Sequence, residues 1–494
     1  MSGEVLSAIA RAPGAHLAVV DDHRSLSYAA LDEAVRAEAR WLQDHAVERC
    51  GMLADNGVGW VVADLALLRA GVLNVPLPAW FTPAQIAHAV RDACVESLLT
   101  DEPERMPEGF RPVATAPRSR LTLFRRPCDV APSPTPSQAI KVTYTSGSTG
   151  AAKGVCLTRQ ALERVARSVA RSVALATPPG VTRHLCTMPL STLLENVAGV
   201  YAPLMLGARS IIPSARATGV GEGDVRAERF LDTISRHSPH SLILAPEMLR
   251  LMIEATRCGW TPPAELRFVA VGGATVAPAM LEHAHALGIP AYEGYGLSEC
   301  ASVVCLNTPA AFRPGSVGKP LPHARVRLDE HGQILVGGAV MSGYLGEPAS
   351  SDQEIATGDL GHIDDDGYVY VRGRMKNMFI TSMGRNVSPE WVESALLRDG
   401  RIRQAVVFGE ARPYAVALVH PASASAGSVP VEQAIAAANA DLPQYARIRR
   451  WALLPVPLRS GDALLTANGR PRRAAIAERY GALIDALYAD VLAS

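Results

Sequence analysis

The chain has 494 residues, a hydrophobic content of 48%, and 48 Lys and Arg side chains against 48 Asp and Glu side chains. This length allows two or three domains with a substantial core. The balanced charge argues against nucleic acid or an anionic membrane as the main partner, and no apolar run is long enough to predict a membrane span. No signal peptide is expected, because Glu4 precedes only a short apolar run.

The eight cysteines are scattered along the chain and lack zinc-type spacing. This pattern indicates reduced thiols and predicts a cytoplasmic location. Nothing in the sequence indicates an oligomeric state.

Helices and strands are predicted to alternate along the chain. Ser27 is placed to cap a helix with leucine and valine on one face. Residues 51–56 and 71–77 are typical of short buried strands on either side of an apolar helix. Residues 101–137 are rich in proline and are interpreted as an irregular surface connector within one large domain. The Asp-Asp-Asp-Gly run at 364–367 predicts a hairpin turn. After Gly373 a compact α/β segment of roughly 120 residues follows, within the size range of a small domain.

The strongest chemical signal begins at Ala139, where an apolar strand leads into a loop of Ser, Thr and Gly, followed by Lys153. A helix capped by Thr158 is predicted next. Backbone N–H groups and hydroxyls of such a loop can approach phosphate oxygens, and the lysine adds positive charge. This is not a Walker A loop, because Gly-Lys-Ser/Thr is absent; a flexible linker is the alternative. The loop residues are Thr145, Ser146, Gly147, Ser148, Thr149 and Gly150.

The stretch T-S-G-S-T-G-A-A-K-G resembles the phosphate loop of the adenylate-forming superfamily, which includes acyl-CoA synthetases, luciferases and the adenylation domains of peptide synthetases. Further motifs of that family follow in order: Y-G-L-S-E at 295–299, T-G-D at 357–359, and the pair Gly373–Arg374. The ordered set spans residues 139–473, and early segments extend the likeness to almost the whole chain.

The resemblance implies an α/β fold in two parts. The first is a large N-terminal α/β domain of several subdomains, residues 1–374, which binds ATP and a carboxylic acid. The second is a small mobile C-terminal α+β domain, residues 375–494, with a hinge at Lys376.

The resemblance also implies a role for each motif residue. Tyr295 would lie against the adenine, Asp359 would accept hydrogen bonds from both ribose hydroxyls, and Arg374 would assist. Glu299 would ligate Mg²⁺ with support from Thr145, since carboxylate and hydroxyl oxygens suit that ion. The other nucleotide-binding residues implied by the motifs are Gly272, Gly273, Ala274, Glu293, Gly294, Gly296, Ser298 and Lys153, together with the loop 145–150.

Three arginines lie close together in the segment 465–473. Matching this segment to the family places Arg470 where members have a catalytic lysine, and Arg473 at a trailing arginine. The substrate carboxylate must attack the α-phosphorus of ATP, and two like charges about 4 Å apart repel by roughly 1 kcal/mol in water and about 4 kcal/mol at an effective dielectric near 20. A cation at this position offsets that repulsion.

The arginine departs from the family pattern. Arg470 keeps the charge but lacks the compact ammonium of lysine. The chain has 44 arginines and four lysines, so a general drift towards arginine is one explanation. The alternatives to a competent enzyme are a protein without the adenylation half-reaction and a degenerate nucleotide-binding protein.

Lys376 falls where family members pivot the small domain between two half-reactions. The pivot would first present Arg470 and later the loop around Gly384, whose glycine lets a pantetheine arm pass close to the backbone. An exposed linker lysine is the alternative interpretation of Lys376.

Residues 188–208 resemble a segment of the long-chain acyl branch, with Thr192 in place of the usual histidine. Leu190 falls where the amino-acid-activating branch has an aspartate, so an amino acid substrate is disfavoured. We therefore expect ATP-dependent activation of a hydrophobic carboxylic acid, fatty or aryl, to an acyl adenylate, followed by transfer to the thiol of coenzyme A. A carrier-protein phosphopantetheine or an amine as acceptor, and a non-catalytic binder, stay open as alternatives.

Overall fold

The computed structural model describes residues 3–127, 133–136, 138–145, 152–177, 180–220, 225–274, 276–348, 354–383, 385–423, 428–459, 463–466 and 469–489. Its strands are β1 Leu17–Val20, β2 Ser25–Ser27, β3 Arg49–Leu53, β4 Leu73–Pro76, β5 Ser97–Thr100, β6 Arg111–Thr115, β7 Thr122–Arg125, β8 Ala139–Thr145, β9 Lys153–Thr158, β10 Arg183–Leu185, β11 Arg209–Ile211, β12 Ser241–Leu244, β13 Phe268–Val271, β14 Ala291–Leu297, β15 Ser302–Leu306, β16 Lys319–Pro320, β17 Ala324–Leu328, β18 Gln333–Gly338, β19 Gly343–Tyr344, β20 Glu354–Ile363, β21 Val369–Arg374, β22 Phe379–Ile380, β23 Asn386–Val387, β24 Ile402–Phe408, β25 Ala415–Pro421 and β26 Ile448–Leu453. Its α-helices are α1 Glu4–Arg11, α2 Tyr28–Asp44, α3 Val58–Ala70, α4 Pro83–Asp92, α5 Arg159–Ala176, α6 Ala202–Met205, α7 Ala215–Thr218, α8 Ala227–His237, α9 Pro246–Arg257, α10 Pro278–Ala286, α11 Pro389–Leu397, α12 Ser428–Asp441 and α13 Arg473–Ala486.

Two large sheets form the N-terminal part. The first runs β16-β15-β14-β13-β12-β10-β11-β1-β2, and the second runs β19-β9-β8-β4-β3-β5-β7-β6. Strands β10, β12, β13 and the first half of β14 are parallel neighbours. Parallel strands place their carboxyl ends at one edge of the sheet, which is where ligands bind in open α/β sheets. The predicted α/β class is confirmed.

Local expectations from the sequence are confirmed at three positions. The Ser27 hydroxyl accepts a hydrogen bond from a first-turn N–H of α2 at 3.2 Å. Thr158 caps α5 in the same way, at 3.1 Å. The turn at 364–367 joins the antiparallel strands β20 and β21, with Gly367 at φ +83°. Side-chain capping of this kind satisfies backbone donors that a helix leaves free.

The expectation of an irregular connector at 101–137 is wrong for two segments. Strands β6 and β7 pair antiparallel with each other, and β7 pairs with β5 of the second sheet. Strand β6 is mostly exposed, whereas Leu123 in the middle of β7 is fully buried in the core. Pairing with the edge of β5 satisfies backbone groups that a loose connector would leave to water.

A charged network lies inside the core between the two sheets. Lys141 Nζ lies 2.7 Å from an Asp64 carboxylate oxygen and 2.6 Å from the Asn196 side-chain oxygen. The Tyr201 hydroxyl and the Asn74 amide donate to the same carboxylate, at 2.6 Å and 2.7 Å. The Lys141 and Asp64 side chains are only 3% and 1% exposed. A buried ion pair is stable only when further hydrogen bonds complete it, as they do here.

Lys141→Ala should destabilise the fold by about 3–5 kcal/mol, because it leaves the Asp64 charge buried without its partner. The measurement is the denaturant midpoint of the first unfolding transition. Arg36→Ala is the control: it removes one partner of a surface ion pair, so a loss of at most about 1 kcal/mol is expected. Equal losses for the two variants would show that the buried network contributes nothing particular.

The C-terminal part has its own sheet and core. Strands β24, β25 and β26 form the sheet, and residues of α11 and α12 pack with it in one cluster. Arg473 begins α13 and pairs with Glu393 at 2.5 Å and with Glu390 at 3.3 Å, both on α11. The trailing arginine of the 465–473 segment therefore ties α13 to α11.

Contacts join the two parts of the chain on either side of β21. The Ser388 hydroxyl donates to the Arg372 carbonyl at 2.9 Å, and a Cβ on Gly373 would collide with that hydroxyl. Farther away, Arg403 pairs with Glu247 of α9 at 2.9 Å. The small part thus packs directly against the strand that leads into it.

Two expectations about the whole chain can be compared with the structure. Among the described residues, no helix combines the length and apolar content that crossing a bilayer requires. Cys50, Cys156, Cys186, Cys258, Cys300 and Cys305 carry free thiols. Cys94 is disulfide-bonded, so the expectation of reduced thiols is wrong there.

Candidate active site

A cavity of about 1390 Å³ opens at the carboxyl ends of β13 and β14. Its lining combines residues of the N-terminal part with residues of the 465–473 segment. Thr145 and Lys153, on either side of the predicted phosphate loop, also line it. Ser146, Gly147, Ser148, Thr149 and Gly150 lie outside the described residues, as does Gly384.

Glycines form one wall of this cavity. Gly272 and Gly273 follow β13, and Gly294 and Gly296 lie on β14. A Cβ on Gly294 would lie 3.0 Å from a Leu306 methyl group, and Gly273 has φ +86°. These positions therefore admit glycine readily and larger residues poorly, which leaves the backbone open to a ligand.

Glu293 and Ala274 are not among the residues that line the cavity. The Glu293 side chain is buried, and one of its oxygens accepts a hydrogen bond from the Val276 N–H at 3.3 Å. Burial raises the pKa of Glu293 to about 8. This side chain supports the turn beneath the glycine wall.

Asp359 joins three strands beside the cavity. Its carboxylate accepts a hydrogen bond from the Tyr295 hydroxyl at 2.6 Å and pairs with Arg374 at 2.7 Å. Asp359 and Arg374 face each other in the register of β20 and β21, and Tyr295 comes from β14. Tyr295 and Arg374 line the cavity, and the Asp359 carboxylate that both of them contact is buried.

A second acidic group lies at the phosphate-loop side. The Tyr344 hydroxyl donates to Glu299 at 3.1 Å, and Glu299, Ser298 and Thr145 all line the cavity. Lys153 lies 4.8 Å from the centre of the Tyr344 ring and pairs with Glu347 at 3.1 Å. Oxygen donors and an ammonium group therefore share this side of the cavity.

Three cations meet where the small part closes the cavity. Arg374, Lys376 and Arg470 all line it. Burial, followed by the neighbouring Arg374, lowers the pKa of both Lys376 and Arg470. Arg470 as a whole residue is exposed, yet its guanidinium lies in this crowded region; a guanidinium stays charged at neutral pH in either case. Positive charge accumulates here, ready for an anion.

The loop that carries Arg470 is a tight hairpin. The Arg470 N–H donates to the Thr466 hydroxyl at 3.1 Å, and the Thr466 N–H donates to the Arg470 carbonyl at 2.8 Å. Gly469 has φ +74°, which favours glycine at this turn. Arg472 also lines the cavity. Of the three arginines in the 465–473 segment, Arg470 and Arg472 thus line the cavity, and Arg473 forms its ion pairs inside the small part.

The far end of the cavity is mostly apolar. It is lined by Val169 and Val173 of α5, Ile243 of β12 and Ala270 of β13. Thr192 is also a lining residue of the cavity. Leu190 is buried in the core and is not a lining residue of the cavity. The argument drawn from Leu190 against an amino acid therefore loses its basis.

The chain matches known families over most of its length. A family model described as AMP-binding enzyme matches residues 6–345, and one described as AMP-binding enzyme C-terminal domain matches residues 376–492. The protein belongs to the AMP-binding enzyme family. The family predicted from the motif order is therefore confirmed.

This AMP-binding enzyme has curated relatives that are CoA ligases. It is 26% identical to the long-chain-fatty-acid–CoA ligase FadD15 of Mycobacterium bovis, over 87% of this chain and 86% of that protein. It is 27% identical to the 2-succinylbenzoate–CoA ligase of Bacillus cytotoxicus, over 80% of this chain and 82% of that protein. The predicted class, an AMP-forming acid–thiol ligase, is confirmed at this level.

Solved structures share the fold. The anthranilate CoA ligase AuaEII in complex with anthranoyl-AMP has a TM-score of 0.79 at 18% identity and covers 97% of both chains. The amide bond synthetase McbA from Marinactinospora thermotolerans has a TM-score of 0.77 at 22% identity, over 96% of this chain and 99% of that one. The predicted pair of a large and a small domain agrees with these structures.

Sequence reasoning missed several cavity residues of this AMP-binding enzyme. Tyr344 reaches Glu299 from a two-residue strand, and the Gln333 side chain accepts from the Gly358 N–H at 3.0 Å. Arg472 could be predicted from the sequence only as one member of the arginine cluster at 465–473. Tyr344 and Gln333 lie outside the motifs, so only the fold reveals that they belong to the site.

Glu293→Gln should change how stability depends on pH. The folded-state pKa of about 8 lies above the ordinary value, so the folded protein holds this proton more strongly than the unfolded chain. Stability from Glu293 is therefore present at low pH and lost as pH rises towards 8. Urea midpoints should show the variant more stable than the parent at pH 8, with a smaller difference at pH 5. An identical difference at both values would contradict this assignment.

Proposed function

We propose that this enzyme uses ATP to convert a hydrophobic carboxylic acid to its acyl adenylate and then transfers the acyl group to the thiol of coenzyme A. One observation supports it above all. Arg470 of the small part lies in the same cavity as the glycine wall, Glu299 and Lys153. A nucleotide-binding surface, a cation and an apolar end therefore share one space.

The nucleotide would lie along the glycine wall. Its adenine would rest against the Tyr295 ring and the backbone of Gly272 and Gly273. Its ribose hydroxyls would reach the Asp359 carboxylate, which Tyr295 and Arg374 already orient. The Glu299 carboxylate and the Thr145 hydroxyl are the oxygen donors that Mg²⁺ prefers, so they would hold the ion that screens the phosphates.

The first step is an attack on phosphorus. A carboxylate oxygen of the substrate forms a bond to the α-phosphorus, and the bond from that phosphorus to the bridging oxygen of pyrophosphate breaks. Arg470 would stabilise the charge that develops on the α-phosphate, because a fixed cation in a partly buried site acts more strongly than one in water. Lys153 would contact the departing phosphates.

The second step needs a different arrangement of the small domain. We place the boundary at residue 374 and the pivot at Lys376, in the three-residue 3₁₀ turn Met375–Asn377 that follows β21. Hinges of this kind change the backbone angles of very few residues. Rotation would withdraw Arg470 and bring up the loop around Gly384. The coenzyme A thiol would then attack the acyl carbon and release AMP.

Coenzyme A is the acceptor that the curated relatives support, since FadD15 and the 2-succinylbenzoate ligase are both named as CoA ligases. An amine is the second candidate, because McbA is named as an amide bond synthetase. A carrier-protein phosphopantetheine presents the same thiol and is the third acceptor to test.

Pyrophosphate exchange with a panel of carboxylic acids tests the first step. ATP should become labelled from pyrophosphate only when a suitable acid is present, and fatty or aryl acids should support exchange better than short polar acids. The second step is tested by offering coenzyme A, a carrier protein with a free phosphopantetheine thiol, and simple amines in competition. Tight ATP binding without exchange for any acid would indicate a non-catalytic binder.

Arg470→Ala should slow acyl adenylate formation by a factor on the order of a hundred or more, while ATP binding changes little, because the cation acts mainly in the transition state. Thioester formation from pre-made acyl adenylate should largely survive. Arg472→Ala is the matched control from the same hairpin and should have a smaller effect on exchange. Equal losses in both half-reactions would instead assign Arg470 to folding or substrate binding.

Lys376→Pro should separate the two half-reactions. The 3₁₀ turn sets φ near the value that proline fixes, so the variant retains the arrangement with Arg470 in the cavity. Pyrophosphate exchange should persist, and thioester formation should fall steeply. Lys376→Ala is the control, because it removes the ammonium but leaves the backbone free to rotate. If the proline and alanine variants lose both reactions in parallel, the pivot is not at this residue.

A further inference from the structure

The apolar end of the cavity contains one polar row. His184 of β10 and Ser241 of β12 stand opposite each other in the parallel register, and both line the cavity. The His184 Nδ1 atom lies 2.9 Å from the Ser241 hydroxyl oxygen. Side chains two residues apart on a strand share a face, so Ile243 lies on the same face as Ser241, one row nearer the glycine wall.

A buried glutamate holds the histidine. Glu195 comes from the π-helical turn Leu194–Tyr201, and one carboxylate oxygen lies 3.0 Å from His184 Nε2. The other oxygen accepts from the Met188 N–H at 2.9 Å. A Cβ on Gly199 would collide with the Glu195 carboxylate and the imidazole, so glycine at 199 makes room for the pair. Glu195, His184 and Ser241 thus form a continuous chain of hydrogen bonds.

This chain of hydrogen bonds determines whether the Ser241 hydroxyl acts as a donor or as an acceptor towards the cavity. A carboxylate oxygen accepts hydrogen bonds, so we take the His184 tautomer in which the Nε2–H donates to Glu195. In that tautomer Nδ1 has no hydrogen and accepts from the Ser241 hydroxyl. The lone pairs of the Ser241 oxygen are left to face the cavity as a hydrogen-bond acceptor. The negative charge of Glu195 behind the histidine disfavours a second anion at this point.

The position of the polar row sets where on the substrate the matching group must be. Ser241 pairs with Phe268 at the start of β13, and Gly272 at the glycine wall lies four residues farther along that strand. At the rise of a β-strand this separation is about 13 Å. Between them lie Ile243 and Ala270, which are apolar, and alanine leaves room for an apolar body.

We propose that the preferred acid has a polar group at each end of an apolar body. One end is the carboxyl group, and the other bears a hydroxyl or amino group that donates a hydrogen bond to Ser241. Ser241 is the specificity-determining residue, and His184 and Glu195 are positioning residues that orient its hydroxyl. This inference rests on the proposed acid activation and adds the class of acid. A plain hydrocarbon acid would leave the serine oxygen buried without a donor, which is costly.

A metal ion is the competing use of the same region. The His184, Cys186 and Glu195 ligand atoms lie within 4.8 Å of one another. Burial raises the pKa of the Cys186 thiol well above its ordinary value, and a thiol must lose its proton to bind a metal. Of the three, only His184 is among the cavity-lining residues, and the Glu195 oxygens already have partners. The hydrogen-bond chain accounts for these contacts without an ion.

The test compares matched acids in pyrophosphate exchange. Decanoic acid, ω-hydroxydecanoic acid and decanedioic acid form one set, and phenylpropanoic acid with its para-hydroxy derivative forms another. The readout is the ratio of kcat/KM between the hydroxy acid and its parent, because a general folding defect lowers both values together. The wild-type ratio should be at least about tenfold in favour of the hydroxy acid in one set, since polar sites discriminate strongly against analogues that lack the partner group. Decanedioic acid should be the poorest of its set.

Ser241→Ala should bring the ratio close to one. The control is Ser210→Ala, which removes a buried hydroxyl on the neighbouring strand β11 that bonds the Gly199 carbonyl at 3.0 Å and is not a cavity-lining residue. It should leave the ratio unchanged.

The outcomes separate this inference from the proposed function. If none of the acids supports pyrophosphate exchange, acid activation itself is overturned. Brisk exchange with plain acids, at a ratio that Ser241→Ala does not alter, would overturn the inference and leave acid activation intact. Stoichiometric zinc in the purified protein that is lost in Cys186→Ala would also overturn it, because the imidazole would then be a metal ligand.

Discussion

The two hydrogen-bonded oxygens of Asp359 determine how the rest of the site is arranged. One accepts from Tyr295, so the first sheet is fixed to β20, and the other pairs with Arg374, the last residue of β21. Two residues later comes Lys376, where the small part begins. A single buried carboxylate therefore sets the direction in which the chain leaves the large domain, and with it the place that the Arg470 hairpin reaches.

Charge explains why the two parts need each other. The cavity collects Arg374, Lys376 and Arg470 within one region, and like charges in a partly buried space repel. A polyphosphate bound among these three cations would offset their mutual repulsion and would itself be attracted to each of them. Under the proposed function, a bound nucleotide would therefore favour the arrangement in which Arg470 lies in this cavity.

The sequence predicted what depends on local chemistry or on ordered motifs. The caps at Ser27 and Thr158, the turn at Gly367 and the family itself could all be read from nearby residues. The strands β6 and β7 could not, because the proline-rich composition around them predicts an irregular chain, whereas pairing with each other and with β5 orders them. Tyr344 and the Glu195–His184–Ser241 chain were missed for a similar reason: no spacing links residues that meet only when distant elements pack.

The scarcity of lysine has a practical consequence for chemical labelling. Of the four lysines, Lys141 is sealed in the core network, while Lys153 and Lys376 line the cavity. Lys319 is exposed beside Tyr368, away from the cavity lining. An acylating reagent selective for amines would therefore modify few side chains, and two of them report on the cavity. If nucleotide binds as proposed, it would protect these two lysines from the reagent, and their protection would measure occupancy more clearly than in a lysine-rich protein.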